Sequence, residues 1–206
     1  MADRQPRCST IGYGEDFSAM TIYNYGYYIS QPLATPSTAL SAMFAVMSPG
    51  PYTDGGLAFV PQQEFGVAAS SSGFAVPDQC NVVGSGGGGS SKNTPFYHFI
   101  VTYEAGSLFF NCGGDYTSGG KYFRSLGFKG TVVGGAGDTC IYAGTENCRA
   151  VNCTFTDISL AFNAQGDRCS LEQCTVDYAE IAGATAIIIA GANCGVMGPV
   201  CHRHSA

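Results

Sequence analysis

The chain has no tryptophan, and only 12% of its 206 residues are charged. It holds 9 Lys and Arg against 15 Asp and Glu, a net charge of −6. No stretch concentrates Lys or Arg, which excludes the basic patch that a nucleic-acid partner requires. Long apolar runs are missing too. The longest, around Ala186 to Ala190, falls far short of the roughly 20 residues needed to span a bilayer. No membrane partner is therefore expected. Met1 to Arg7 have no apolar segment behind them, so a Sec signal is not expected. The location expected is cytoplasmic, virion-associated, or reached by another export route. Helical periodicity is nearly absent and occurs in one short segment.

Glycine and cysteine are plentiful, with 29 and 10 residues. The cysteines mark a repeat. One unit reads Asn147-Cys148-Arg149-Ala150-Val151-Asn152-Cys153-Thr154-Phe155, and the next Arg168-Cys169-Ser170-Leu171-Glu172-Gln173-Cys174-Thr175-Val176. A third contains Ala186 to Gly191 and Asn193-Cys194-Gly195-Val196-Met197. Cys153 and Cys174 are 21 positions apart, and Cys169 and Cys194 are 25. The period is elastic in the links and constant in the strands. A period in this range signals stacked units. Within each unit, small or apolar groups alternate with polar ones and Gly, Asn or Asp breaks the run, as in strands. Strands that recur once per coil pair in parallel, about 4.8 Å apart. The fold expected is all-β, a right-handed parallel β-helix, with Cys148, Cys169 and Cys194 in one ladder and Cys153 and Cys174 in another. Phe155 and Val176 are expected to point into the bore.

Three readings of the thiols stay open. They are small inward hydrophobes, disulfides between adjacent coils, or zinc ligands. The last fits worst, because stacked thiols form a flat ladder rather than a tetrahedron.

Residues 1–34 are read as an irregular aromatic segment. Tyr23, Tyr25 and Tyr27 alternate there, either packing on the body or offering a surface for sugar stacking. Thr35-Pro36 begins a helix, and Leu40, Met43, Phe44 and Met47 give it one apolar face. This helix is expected to plug the N-terminal end of a β-helix domain over 35–198. Short strands with tight corners follow at 55–61, 65–67, 74–77 and 80–84. Further strands are expected at 96–103, 107–112 and 121–129. Residues 84–91, GSGGGGSS, contain a glycine pattern found in nucleotide sites. No helix opens behind it, so a loop is expected. Residues 199–206 are read as a tail. Its Cys201-His202-Arg203-His204 is too close-knit to wrap a metal alone, and no metal site is expected. His98 is read as structural.

Several stretches resemble the pectate-lyase-like single-stranded right-handed β-helices, which include polysaccharide lyases, glycoside hydrolases and phage tailspikes. The likeness lies in the helix at Ala39 to Met47, the Gly55-Gly56-Leu57-Ala58-Phe59-Val60-Pro61 opening, Val76-Pro77, Val82 to Gly86, Asn152 to Phe155 and Gln173 to Val176. It covers roughly 36–198. The family's usual Asp-rich segment before the capping helix is missing, with Pro32 to Thr38 in its place. The resemblance implies polysaccharide engagement, with or without cleavage, and a lyase reading would add Ca²⁺ as cofactor.

Stacking says which groups can meet. Aligning Cys148 with Cys169 sets Glu146 over Asp167, a pair expected to serve as acid and nucleophile if the chain is a hydrolase. Arg149 and Arg168 flank them. Asp157 and Asp177 are expected to form a second acidic row. Together with Tyr23, Tyr25 and Tyr27 these complete the substrate-binding candidates. A second functional reading is a non-enzymatic structural protein, either a phage tail or virion spacer or a truncated fragment of a longer β-helix protein. In either reading the C-terminal end of the bore is expected to meet another copy or a partner chain.

Overall fold

In this computed structural model the chain is described over residues 22–47, 56–85, 96–113, 120–131, 138–178, 185–198 and 200–203. The glycine-rich stretch from 86 to 91, the loop at 134–137 and His204 lie outside the described residues.

Strand β1 (Ile22–Asn24) leads into helix α1 (Tyr25–Ile29) and then helix α2 (Pro36–Met47). The coils follow in threes. The first is β2 (Leu57–Val60), β3 (Phe65–Ala68) and β4 (Phe74–Ala75). The second is β5 (Asn81–Gly84), β6 (Phe99–Thr102) and β7 (Leu108–Asn111). The third is β8 (Lys121–Arg124), β9 (Gly127–Gly130) and β10 (Thr139–Ala143). The fourth is β11 (Cys148–Val151), β12 (Thr154–Thr156) and β13 (Leu160–Ala164). The fifth is β14 (Ser170–Glu172), β15 (Thr175–Tyr178) and β16 (Ile187–Ile189), followed by β17 (Gly195–Met197) and β18 (Val200–Arg203).

Every third strand joins the same sheet. The first sheet runs β1-β2-β5-β8-β11-β14-β17, the second β3-β6-β9-β12-β15-β18 and the third β4-β7-β10-β13-β16. Adjacent strands in each sheet are parallel. This is a right-handed parallel β-helix, the hand that parallel crossovers adopt.

One residue turns each of two corners. Ser125, Asn152 and Gln173 have φ near +50° and end strands of the first sheet. Asn147, Arg168 and Asn193 have φ near +57° and precede them. The segment expected as one strand over 121–129 is therefore two, because Ser125 turns the chain between β8 and β9.

The bore is lined by like residues in register. Phe65, Phe99, Phe128 and Phe155 stack, and Val176 follows. The rings of Phe128 and Phe155 lie 5.2 Å apart and nearly parallel. Phe155 and Val176 are fully buried, as the alternation predicts. Arg149 pairs with Ser170 and Ser170 with Gly195, so Cys148, Cys169 and Cys194 stand in one column. Thr154 pairs with Thr175, which aligns Cys153 with Cys174. The eight described cysteines are free thiols, seven of them buried. Burial pushes the Cys80 thiol up to about 12 and the Cys169 thiol up to about 11, so both act as apolar filling rather than as nucleophiles.

Helix α2 closes the N-terminal end. Leu40, Met43, Phe44 and Met47 are buried, with the Phe44 ring 6.0 Å from Phe110. At its start the Thr38 N–H donates to the Thr35 hydroxyl and the Thr35 N–H to the Thr38 hydroxyl, a reciprocal cap. Helix α1, which the sequence did not suggest, covers the rest of that end. At the other end Val200–Arg203 pairs with β15, so part of the segment read as a tail is a strand of the second sheet.

Candidate functional site

The sequence-derived candidates fall into three groups. The tyrosines separate first. Tyr25 is fully buried, packs edge-on to Phe65 at 4.6 Å and donates its hydroxyl to the Pro36 carbonyl at 2.7 Å. It is therefore no sugar platform. Burial also raises its hydroxyl pKa. Tyr23 packs against the core, while Tyr27 is exposed. Helix α1 breaks the alternation: at 3.6 residues per turn, Tyr25 and Tyr27, two positions apart, point to opposite sides, one buried and one exposed.

The second acidic row does not form. Asp177 is in register with Thr156, and Thr156 with Lys129. Asp157 stands one position further on, in the corner, where its φ is +54° and its N–H donates to the Asp177 carbonyl. Cys153 is followed by Asp157 at the fourth position, whereas Cys174 is followed by Asp177 at the third. That one-residue difference places the two acids at different levels of the pleat.

Glu146 and Asp167 do lie on adjacent coils, since the Asn147 N–H donates to the Asp167 carbonyl. Their carboxylates have different occupations. Glu146 faces Arg168 at 3.9 Å. The Asp167 side chain accepts the Ala192 N–H at 2.8 Å and so ties its corner to the next coil.

A denser polar group sits on the outer face of the first sheet. Tyr122, Arg149 and Ser170 follow one another in register on β8, β11 and β14. The Arg149 guanidinium lies 5.9 Å from the centre of the Tyr122 ring and 4.0 Å from Glu172. The Ser170 hydroxyl donates to Glu172 at 2.6 Å. Arg124 stands exposed on the neighbouring outward position of β8, with Val151 and Glu172 following in its column. The Arg149 and Arg168 side chains are 45% and 62% exposed against 22% and 34% for Glu172 and Glu146, so the arginines are the more exposed partners of the two pairs. Arginine stacked on an aromatic ring while reaching a carboxylate is held in one geometry at low entropic cost. Of this group, sequence reasoning named Arg149, Arg168 and Glu146 and missed Tyr122, Arg124 and Glu172. Glu172 was within reach, because it lies two positions before Cys174 on the same repeat.

His98 is structural. It is fully buried, its Nδ1 accepts the Gly127 N–H at 3.1 Å, and its Nε2 lies 2.9 Å from the Ser85 carbonyl. For a metal such as Ca²⁺, no group of three or more His, Cys, Asp and Glu side chains stands together among the described residues.

Among solved structures, the chain is similar to a 1,3-alpha-1,4-beta-D-galactose-4-sulfate-3,6-anhydro-D-galactose-2-sulfate 4 galactohydrolase, at 11% identity and a TM-score of 0.47. The match covers 87% of this chain and 45% of that one, so the chain spans less than half of that protein's length. No protein-family model and no curated protein matches the chain.

Proposed function

We propose that the chain is a pectate-lyase-like β-helix domain that engages an acidic polysaccharide along the outer face of its first sheet. The observation that carries this reading is the Tyr122–Arg149–Glu172–Ser170 group, flanked by Arg124 and by the Arg168–Glu146 pair. These residues lie on successive coils, so they form a track along the solenoid axis with a rise of about 4.8 Å per coil. A chain laid on that track meets planar donors that suit the carboxylates or sulfates of an acidic sugar, acceptors for its hydroxyls, and one aromatic face. Cleavage is a separate step. It would fall to Glu146 and Asp167, with the Ala192 bond to Asp167 released or retained.

The test is a glycan-binding screen coupled to an assay for reducing-end and unsaturated products. Arg149→Ala is expected to weaken binding of an acidic polysaccharide about tenfold, the loss of one charge-assisted contact, with binding falling as salt rises. Product that disappears in both Glu146→Gln and Asp167→Asn would make the domain a hydrolase with those two carboxylates in it. Failure of every acidic polysaccharide to bind would sink the reading and leave the solenoid as a rigid structural spacer.

A further inference from the structure

The two cysteine ladders differ in what solvent can reach. Cys153 and Cys174 touch, with the Cys153 N–H donating to the Cys174 sulfur at 3.4 Å, but each is only 1% exposed. Cys148 and Cys169 are covered completely. Cys194, at the head of the first ladder, is the half-buried one among the eight described thiols. Its contact with the Ala192 carbonyl at 3.6 Å lies at the surface. A Cβ at Gly191 would come within 3.0 Å of the Cys194 sulfur, so glycine there keeps a side chain off it.

The Cys194 sulfur leans onto the coil beneath. It accepts the Cys169 N–H at 3.3 Å and donates to the Gly166 carbonyl at 3.1 Å. The two thiols are also hydrogen-bonding neighbours. Ser170 and Gly195, which follow the two cysteines, are in register, so the cysteines stand about one strand spacing apart, about 4.8 Å. A disulfide spans Cα separations of about 4.4–6.8 Å. Closing the bond draws the Cβ atoms in to about 3.8 Å, a movement of roughly an ångström. The coil of Cys194 has room to make it, because among the described residues no strand follows β17 in its sheet. The strands that follow Cys148 and Cys169 have neighbours on both sides.

We propose that Cys194 is a modification site: it takes up a small-molecule disulfide of the glutathione class and passes the bond to Cys169, which fastens the last coil to the one beneath. In the first step the Cys194 thiolate attacks one sulfur of the small disulfide. A mixed disulfide forms, the S–S bond of the small molecule breaks, and one small thiol leaves with the electron pair and takes up the proton lost by Cys194. In the second step the Cys169 sulfur attacks the Cys194 sulfur. The bond between the two cysteines forms, and the second small thiol is expelled with the proton lost by Cys169. Two protein thiols are oxidised, and one small disulfide is reduced to two thiols. Burial holds the Cys169 thiol up at about 11, which leaves about one thiolate in 10⁴ at neutral pH. Cys169 is therefore inert towards reagents in solution. Towards a sulfur fixed beside it, an effective molarity of about 10⁵ M or more offsets that loss. Excess small thiol runs both steps backwards.

The test treats the full chain with oxidised glutathione under native conditions, quenches in acid, alkylates the remaining thiols after unfolding, and maps the product by digestion and mass spectrometry. Wild type should gain a disulfide between Cys169 and Cys194. Cys169→Ser should stop at a glutathione adduct on Cys194, and Cys194→Ser should leave Cys169 reduced. Hydrogen exchange on reduced and oxidised wild type is the second arm and needs no variant. Oxidation should slow the amides at 195–197 about tenfold or more and leave those of Pro36–Met47 unchanged, and dithiothreitol should restore the original rates. The proposal is overturned by an unreacted Cys194, by a bond from Cys194 to any other cysteine, or by a glutathione adduct that persists on Cys194 in the wild type. Equal exchange at 195–197 in the two forms overturns it as well.

Discussion

Each cysteine of the two ladders follows a residue of positive φ. Asn147, Arg168 and Asn193 precede Cys148, Cys169 and Cys194, and Asn152 and Gln173 precede Cys153 and Cys174. The corner residue turns the chain, and the next side chain enters the bore where two sheets meet. A thiol suits that place, being small, apolar and able to donate weakly. The Cys169 thiol donates to the Thr145 carbonyl at 3.3 Å and the Cys174 thiol to the Glu172 carbonyl at 3.2 Å. The flat faces of the bore take large rings instead. Phe155 lies between the Phe128 ring and Val176 with no exposed surface. Phe155→Ala is therefore expected to cost about 3–5 kcal/mol, since the coils cannot collapse onto the gap without breaking register. Urea unfolding measures it. A loss within about 0.5 kcal/mol, as for a surface position, would contradict the burial.

At the scale of elements, what could be read beforehand was whatever repeats at constant spacing. The ladders and the plug at Pro36–Met47 were legible because each rests on a local pattern, the 21-residue step between like cysteines and a 3.6-residue apolar face. The break at Ser125 was not, because serine carries no preference for positive φ. The track was not, because Lys121 precedes Cys148 by a longer link than Cys148 precedes Cys169, so Tyr122 and Arg149 could not be aligned by counting. The lock made by His98 was legible only as burial in an aromatic strand. It joins the end of β5, through Ser85, to the start of β9, through Gly127. A Cβ at Gly127 would collide with the Phe96 carbonyl, so the 96–98 segment lies directly over it. Burial holds the His98 pKa below its ordinary value of 6.5, against an opposing pull from the Ser85 carbonyl. Neutral His98 accepts from Gly127, and the protonated ring cannot. The contribution is thus complete above the unfolded pKa of about 6.5 and is lost as the pH falls towards the lower folded value. Wild type should lose more stability than His98→Gln between about pH 7 and about pH 5. Equal losses in urea titrations would show that His98 does not titrate on unfolding.

The whole molecule is nearly one-dimensional: each coil rests on its two neighbours, and stability is a sum of rungs and contacts between rungs. The two ends are then unequal. At the N-terminal end α1 and α2 bury Tyr25, Leu40, Met43 and Phe44 over the first coil. At the other end, among the described residues, Ile189, Val196 and Met197 are 39%, 40% and 58% exposed. Cys194 is only half-buried, whereas Cys148 and Cys169 in the same column are covered completely. Rungs with one neighbour open more cheaply than rungs with two, so amide exchange should rank along the axis. In dilute solution the amides of β16 and β17 should exchange first, and those of β10 to β13 last. Among the described residues no strand follows β16, β17 or β18 in its sheet, and unpaired edges above an apolar cross-section also invite a further layer. A second copy set on that face would slow exchange at 187–189 and 195–197 and nowhere near α2, which lies at the opposite end. Hydrogen exchange followed by mass spectrometry at two protein concentrations reads both effects. Protection that is uniform along the axis would show that the molecule opens as one unit. Slowing that spreads to α2 would place any contact between copies elsewhere than on this end.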